Sequence, residues 1–402
     1  MYFDRNITNC IEKANITFPV VLITGPRQVG KTTVFENVRE PQRTYVTLDD
    51  PQLRSLAQTD PLLFLQSYEP PVLIDEVQYA PQLFPYIKMI VDKEKKKGMF
   101  WLTGSQQFQL MKNVSESLAG RVAILEMQGL SQAEKNRTEG LPFLPSNLKN
   151  RSQIDYTINS IFELIMKGSF PELYVTPKID RNLFYSSYLK TYIERDIRAM
   201  TQISDERAFL TFLKVAAART GQLLNYADIA KDVGVTEVTV KAWISLLTTS
   251  GLIYLLQPYH NNITKRAIKT PKLYFLDTGL CSYLCGWNTV YPLSVSAMSG
   301  AMLETYVVSE IIKSYIHNCE PAQFYFYRDK EKNEIDFLIE CDNVFYPIEI
   351  KRSAAPKEDD VKNFELLRKI GLSVGMGAII CLYNNLLPIN REVMIVPVGY
   401  LG

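Results

Sequence analysis

The sequence predicts an α/β fold: a parallel sheet covered by helices, then a helical middle region, then a second α/β domain. Residues 18–23, 71–74 and 99–102 are short apolar runs, as is typical of strands buried on both faces of a parallel sheet. Stretches with helical apolar spacing separate them. A second group of strand-like runs begins at residue 273, which predicts another sheet toward the end of the chain.

Length, composition and charge limit the classes of protein to which the chain can belong. The 402 residues suffice for two to four domains at about 150 residues each. A formal charge of +1 excludes a global attraction to nucleic acid or anionic lipid, so any basic patch is local. Six cysteines without a C-x-x-C pair, and only two histidines, argue against structural zinc and favour buried thiols in a reducing compartment. No signal-peptide or membrane-length apolar run is evident, so we expect a cytoplasmic protein without a membrane partner.

Residues 25–33 read G-x-x-x-x-G-K-T-T between a predicted strand and a predicted helix. The glycines permit a tight loop whose backbone N–H groups point at phosphate oxygens, and the helix adds the positive end of its dipole. Lys31 is expected to reach the β- and γ-phosphates, and the Thr32 hydroxyl to hold Mg²⁺. The pattern predicts ATP and Mg²⁺ as cofactors. The predicted nucleotide-binding residues are Gly25, Pro26, Arg27, Gln28, Val29, Gly30, Lys31, Thr32 and Thr33.

A second apolar run, residues 71–74, ends in the adjacent carboxylates Asp75 and Glu76. In open α/β sheets, ligands bind at the carboxyl ends of the strands, so both side chains should meet the phosphate loop. We expect Asp75 to contact Mg²⁺, usually through water, and Glu76 to polarise the attacking water as general base.

Two further residues are candidate catalytic groups. Ser105, with Gln106 or Gln107 beside it, follows the strand 99–103, where a polar side chain would lie between the carboxylate and the γ-phosphate. Arg121 precedes the strand that runs to residue 127, and its guanidinium could stabilise the γ-phosphate in this chain or in a neighbour. The second case requires an oligomer. A salt bridge at a helix terminus is the alternative for Arg121.

Residues 25–33, 73–78, 102–106 and 118–122 together resemble the AAA-superfamily P-loop ATPases of bacteria and archaea that carry a C-terminal domain of unknown function. The resemblance covers essentially the whole chain and implies a P-loop parallel-sheet ATPase domain coupled to a winged helix and a nuclease-like fold. It does not identify a substrate. The expected divisions are an ATPase domain at 1–135, a helical linker or lid at 136–205, a winged helix-turn-helix at 206–270 and a nuclease-like domain at 271–402.

The middle of the chain is predicted to be helical and then winged-helix. Turn-rich residues 136–151 end the ATPase core. In the helix at 182–199, Arg195 or Arg198 could sense nucleotide, although ion pairing is favoured. Three helices and a hairpin between 208 and 256 are typical of a winged helix, a fold that reads DNA or packs between domains. The cations available for phosphate contacts would be Lys265, Arg266, Lys269 and Lys272.

The last third carries a second constellation: Glu304 on a predicted helix, and Asp336, Glu349 and Lys351 on predicted strands. This ordered set resembles the PD-(D/E)XK nuclease core, which is restriction-endonuclease-like in fold. It implies that Glu304, Asp336 and Glu349 bind Mg²⁺ or Mn²⁺, and that Lys351 acts on the phosphate or on the attacking water. The alternative is an inherited, inactive fold whose carboxylates form an ion network.

Two functions from different classes follow. The first is an ATP-hydrolysing P-loop ATPase that acts on or near DNA, with DNA cleavage as a further candidate activity. The second is a nucleotide-switched binding or regulatory module, whose C-terminal fold binds a protein or nucleic-acid partner and cuts nothing.

Overall fold

The computed structural model describes residues 2–104, 114, 116–192, 205–259 and 270–402. The chain divides into two compact units. The first unit comprises Met1–Leu130 with the short segments Thr249–Gly251 and Ile316–Glu320, and the second unit comprises the remainder. The first unit therefore ends a few residues before the predicted boundary at residue 135.

The first unit has an α/β fold with a parallel five-stranded sheet, which confirms that part of the predicted fold class. The strand order is β2-β3-β4-β1-β5 and every pairing is parallel. Every residue of β1, β3 and β4 is buried, as their continuous apolar runs predict. The strands are β1 Val20–Thr24, β2 Thr44–Thr47, β3 Val72–Asp75, β4 Phe100–Thr103 and β5 Val122–Glu126.

Among the described residues of the first unit, α-helices that accompany this sheet precede and connect its strands. The first of them, α1, begins at Thr8. Asp50 caps α3 by accepting from the backbone N–H groups of Gln52 and Leu53, and a proline follows at the first helical position. The helices are α1 Thr8–Thr17, α2 Lys31–Val38, α3 Pro51–Thr59, α4 Pro61–Ser67 and α5 Leu83–Glu94.

The second unit contains a mixed sheet of ten strands. Its order is β14-β15-β13-β11-β10-β9-β7-β8-β6, with β12 paired to β11. The strands are β6 Gln222–Leu223, β7 Ile253–Pro258, β8 Lys272–Phe275, β9 Gln323–Arg328, β10 Glu334–Cys341, β11 Val344–Lys351, β12 Ser373–Val374, β13 Gly377–Cys381, β14 Leu387–Pro388 and β15 Val393–Pro397. One sheet therefore spans residues that the sequence assigned to two domains.

The predicted boundary between residues 270 and 271 lies inside this sheet. β7 pairs antiparallel with β8 on one side and parallel with β9 on the other, where Gln257 is opposite Tyr325. Because an unpaired strand edge exposes backbone donors and acceptors, the pairing with β9 satisfies groups that an isolated hairpin would leave open. The hairpin and the C-terminal strands consequently share one hydrogen-bonded sheet.

Along the chain, the helices of the second unit precede these strands or lie between them. Within the described ranges, no helix of either unit combines the length and apolar character needed to cross a membrane. Residues Glu358–Phe364 form a 3₁₀ segment, which is followed by one short α-helix. The helices are α6 Gln132–Asn136, α7 Ile158–Lys167, α8 Glu172–Val175, α9 Arg181–Tyr192, α10 Glu206–Ala217, α11 Tyr226–Val233, α12 Glu237–Thr249, α13 Thr278–Leu284, α14 Val290–Val295, α15 Ser299–Ile316 and α16 Glu365–Lys369.

The carboxylate of Asp277 organises the turn that follows α7. It accepts from the backbone N–H and hydroxyl of Ser169 at 2.6 and 2.7 Å, from the Tyr185 hydroxyl at 2.9 Å and from the Leu280 N–H at 2.6 Å. Gly168 has φ 81°, and a Cβ there would clash with the Tyr185 hydroxyl and with Asp277. The Gly-Ser-Phe-Pro turn is thus fixed by one buried acceptor.

Asp277→Ala should destabilise the second unit by roughly 3 kcal/mol, because several buried donors lose their acceptor together. The matched control is Asp205→Ala, which removes an ordinary exposed cap at the start of α10 and should cost about 1 kcal/mol. Urea unfolding followed by fluorescence measures both. A loss for Asp277→Ala no larger than that for Asp205→Ala would contradict this role.

Candidate nucleotide-binding site

The loop between β1 and α2 depends on its two glycines. Gly25 has φ 146°, and a Cβ there would collide with the backbone carbonyl of Met127. Gly30 has φ 91° and ψ 29°, a left-handed conformation that immediately precedes α2. Both positions exclude ordinary side chains, one by close approach and one by backbone conformation. The loop consequently lies at the N-terminus of α2, where backbone N–H groups favour an anion.

Lys31 is buried inside this loop. Its Nζ donates to the backbone carbonyl oxygens of Gly25 at 3.1 Å and Pro26 at 2.8 Å. The ammonium is therefore held within the loop beside the first turn of α2. A phosphate placed there would meet a fixed positive charge in addition to the helix N-terminus.

The carboxylate of Asp75, at the end of β3, receives hydrogen bonds from three neighbouring elements. The Thr32 hydroxyl of α2 donates to Oδ1 at 2.6 Å, the Thr103 hydroxyl of β4 donates to the same oxygen, and the Tyr45 hydroxyl of β2 donates to Oδ2 at 3.3 Å. Burial and the Asp75 charge raise the pKa of Tyr45 to about 12, so Tyr45 remains a donor at neutral pH. A carboxylate beside a hydroxyl is the oxygen donor set that fits Mg²⁺.

Glu76 follows Asp75 in a left-handed conformation with φ 56°. Its backbone N–H donates to the Thr103 hydroxyl at 3.1 Å, and the side-chain amide of Gln78 donates to its Oε2. Thr103 therefore contacts both residues of the acidic pair, the side chain of Asp75 and the backbone of Glu76. The two predicted motifs, 43 residues apart between Thr32 and Asp75, meet at the carboxyl edge of the sheet.

Sequence reasoning missed two residues that shape this site. Thr103 is the last residue of β4, which lies beside β3 in the parallel sheet. A polar residue at the end of that strand could have been predicted from the sequence to lie near Asp75. Arg5 gave no signal, because it lies in the leading segment before α1. Its buried guanidinium donates to the carbonyl of Val29 at 2.7 Å and to that of Gln128 at 2.7 Å. Arg5 thereby ties the phosphate loop to the chain that follows β5.

The structure does not bring Arg121 to the phosphate loop of its own chain. Its carbonyl accepts from Val20 at the amino end of β1, whereas the loop follows the carboxyl end. Its guanidinium pairs with Asp92 at 2.5 and 2.9 Å, which is the salt bridge of the alternative interpretation. A role in a neighbouring copy stays a prediction. Other candidates lie outside the described residues: Ser105, Gln106, Gln107, Arg195, Arg198, Lys265, Arg266 and Lys269.

The C-terminal carboxylates face lysines. Glu304 Oε1 accepts from Lys272 Nζ at 3.3 Å and from the Tyr274 hydroxyl at 2.5 Å, and Asp336 Oδ1 lies 3.9 Å from the same ammonium. Lys272 was predicted to contact phosphate, but it is buried, because β8 lies inside the sheet. On β11, the Lys351 ammonium lies 2.7 Å from Glu349 Oε1.

Among the described residues, no group of three or more histidine, cysteine or acidic side chains is arranged to hold a metal ion. The metal-binding role of Glu304, Asp336 and Glu349 stays a prediction. Burial raises the pKa of Glu304, although the positive charge of Lys272 acts to lower it. Burial, with the nearby charge of Asp336, raises the pKa of Glu349 to about 8.

Three family models match successive parts of the chain. Residues 17–136 match the model described as "AAA domain", over the parallel sheet and the phosphate loop. The first unit carries an AAA-type P-loop ATPase domain. Beyond this AAA-type domain, residues 158–291 and 299–401 match two models described as domains of unknown function, DUF8612 and DUF4143. Those matches assign no activity to the second unit.

Two relatives that match most of the chain are described as uncharacterized proteins. The chain is 29% identical over 341 residues to Rv2008c of Mycobacterium tuberculosis and to Mb2031c of Mycobacterium bovis, covering 84% of this chain and 71% of each. Among solved structures it is similar to the Walker-type ATPase PABY2304 of Pyrococcus abyssi, at 16% identity and TM-score 0.44, covering 70% of this chain and 96% of that one. A RuvB variant of Thermotoga maritima has 15% identity and TM-score 0.29, covering 62% and 87%.

Thr103→Val should slow ATP turnover by the AAA-type domain by about tenfold or more, because both acidic residues lose a hydrogen bond that orients them. Nucleotide affinity should change little. Thr47→Val is the graded control, since the Thr47 hydroxyl lies 3.5 Å from the same Asp75 carboxylate and should matter less. Phosphate release measured at saturating ATP compares the two. Equal rates for native protein and Thr103→Val would remove Thr103 from this positioning role.

Proposed function

We propose that the first unit binds ATP with Mg²⁺ and hydrolyses it. The observation that supports this most is the 2.6 Å hydrogen bond from the Thr32 hydroxyl to Asp75, beside the buried ammonium of Lys31. It places a phosphate loop and an acidic strand end together, the arrangement that phosphoryl transfer needs. Residues 25–33 would bind the phosphates, and Thr32 and Asp75 would hold Mg²⁺, which supplies charge neutralisation when bound.

The protein side chains have separable tasks in this proposal. Lys31 would exchange the carbonyls of Gly25 and Pro26 for phosphate oxygens, because these contacts already hold its ammonium inside the loop. Glu76 would accept a proton from the attacking water, and the Gln78 amide fixes one of its carboxylate oxygens. Ser105 is proposed to contact the γ-phosphate. Arg121 is proposed to act only on the site of a second copy, which makes an oligomer necessary for that role.

Lys31→Ala should weaken ATP binding by roughly tenfold to a hundredfold, because a charge-assisted contact to phosphate is lost. Glu76→Gln should keep ATP binding and lower turnover by about 10²–10⁴, because the amide cannot accept the proton. Calorimetry and phosphate release measure the two quantities. Glu12→Gln, an exposed change on α1, is the isosteric control. Unchanged affinity in Lys31→Ala would refute the nucleotide site, and full turnover in Glu76→Gln would remove Glu76 from the base role.

We further propose that the second unit binds DNA in a manner that depends on nucleotide state. The order α10, β6, α11, α12, β7, β8, with β8 paired antiparallel to both β6 and β7, supports a winged helix. On α12, Glu237, Lys241 and Ser245 are exposed, as expected for a helix that reads a groove. Lys272 is buried and does not contribute. The described surface of α12 therefore supports few phosphate contacts.

For the second unit we propose DNA binding without cleavage. Nuclease activity would require Asp336 and Glu349 to hold a divalent cation, and the buried Lys272 ammonium lies 3.9 Å from Asp336. This supports the alternative of an inactive nuclease-like fold. A protein partner is the other outcome of the test below.

Binding of a labelled DNA duplex should weaken as salt rises, with a shallow slope that reflects few phosphate contacts. Lys241→Ala should reduce that slope by about one, whereas Lys93→Ala, an exposed change in the first unit, should not alter it. Anisotropy at several salt concentrations, with ATP and with ADP, gives the slopes. No binding to any DNA form would redirect the search to a protein partner.

The same samples test cleavage. With Mg²⁺ or Mn²⁺, and with or without ATP, we expect no DNA product from the native chain. Product that disappears in both Lys351→Ala and Asp336→Ala would establish a nuclease and overturn the binding-only proposal.

A further inference from the structure

The buried ammonium of Lys272 lies among three carboxylates, an arrangement called here the lysine–carboxylate cluster: Lys272, Glu304, Glu334 and Asp336. Its Nζ is 2.6 Å from Glu334, 3.3 Å from Glu304 and 3.9 Å from Asp336. The Lys272 side chain is 5% exposed. A lysine so buried requires partners for its charge, and these carboxylates supply them.

The members of the cluster come from separate elements. Lys272 belongs to β8, Glu304 to α15, and Glu334 and Asp336 to β10. The carboxylates converge on one compact cation, and oxygen-rich surroundings of this kind also suit a hard divalent ion. Metal–oxygen bonds of about 2.0–2.6 Å are shorter than these contacts, so the carboxylates would have to move inward to bind a metal.

Two further cations pair with carboxylates in or near the lysine–carboxylate cluster. Arg328 pairs with Glu334 at 3.2 Å, and Lys351 pairs with Glu349 at 2.7 Å. Glu349 is 6% exposed, and its Oε2 has no hydrogen-bond partner among the described residues. Lys272 and Arg328 thus set two side-chain cations against the three carboxylates of the cluster, which reduces the negative charge that a metal ion would balance.

We infer that the ammonium of Lys272 takes the cation position in the lysine–carboxylate cluster, so that the second unit binds no divalent metal there. Lys272 also links β8 to α15 and β10 through these ion pairs. The chain thus carries a latent cation site that one substitution would open. This inference concerns the nucleotide-free protein and is independent of ATP hydrolysis and of DNA binding.

Manganese binding to the full chain without nucleotide tests the inference. Electron paramagnetic resonance of free Mn²⁺ should show no binding by the native protein that Asp336→Asn removes. Lys272→Met, which nearly keeps the length of the side chain and removes the charge, should bind about one more Mn²⁺ per chain than the native protein. Mn²⁺ should raise the melting temperature of Lys272→Met more than that of the native chain. Lys272→Arg, which retains a cation, should behave as the native protein does.

The location of any bound Mn²⁺ is checked with Asp336→Asn. Adding this change to Lys272→Met should abolish the acquired binding. Stoichiometric binding by the native chain that Asp336→Asn removes would overturn the inference, as would a folded Lys272→Met protein that binds no more Mn²⁺ than the native chain does. If Lys272→Met does not fold, the comparison of the native chain with Asp336→Asn still decides whether the cation position is open.

Discussion

The nucleotide site depends on the carboxylate of Asp75, on which the carboxyl edge of the first sheet converges. Hydroxyl groups from α2, β2 and β4 donate to it, so each of these elements is positioned by the same acceptor. The parallel sheet makes this convergence possible, because Thr47 and Thr103 lie beside the end of β3 in neighbouring strands. Neutral donors orient the carboxylate without cancelling its charge, which leaves it able to bind a cation.

In the second unit the carboxylates have partners of a different kind. Glu304, Glu334 and Asp336 meet an ammonium, and the full positive charge of Lys272 offsets part of theirs. A site oriented by neutral donors keeps its charge available, whereas a site paired with lysine has already satisfied it. A carboxylate is therefore expected to bind a metal ion in the first unit and not in the lysine–carboxylate cluster of the second. The difference comes from the neighbouring side chains.

Local patterns explain what the sequence could predict. The phosphate loop is one contiguous motif whose glycines and lysine act within a few residues of each other, so its spacing alone identifies Lys31 and Thr32. The strand ends were equally readable, because a continuous apolar run that stops at Asp75 has a simple interpretation. Contacts between distant residues were not. Arg5 reaches Gln128 across 123 residues, and nothing near Arg5 in the sequence indicates its partner.

Lys272 of the second unit also shows what local sequence patterns cannot predict. Whether this lysine is buried or exposed depends on the topology of the sheet. Read locally, a lysine near other cations after a hairpin suggests phosphate contact. In the structure β8 pairs with both β6 and β7, which makes it an interior strand, and β7 pairs with β9, which joins the hairpin to the C-terminal strands. Lys272 is then enclosed beside β10 and α15, where burial without a partner would be costly, and acidic residues at those positions offset that cost. A hairpin held by shared backbone hydrogen bonds and by buried ion pairs cannot move separately from the C-terminal strands. Any displacement of the hairpin must therefore move this sheet with it.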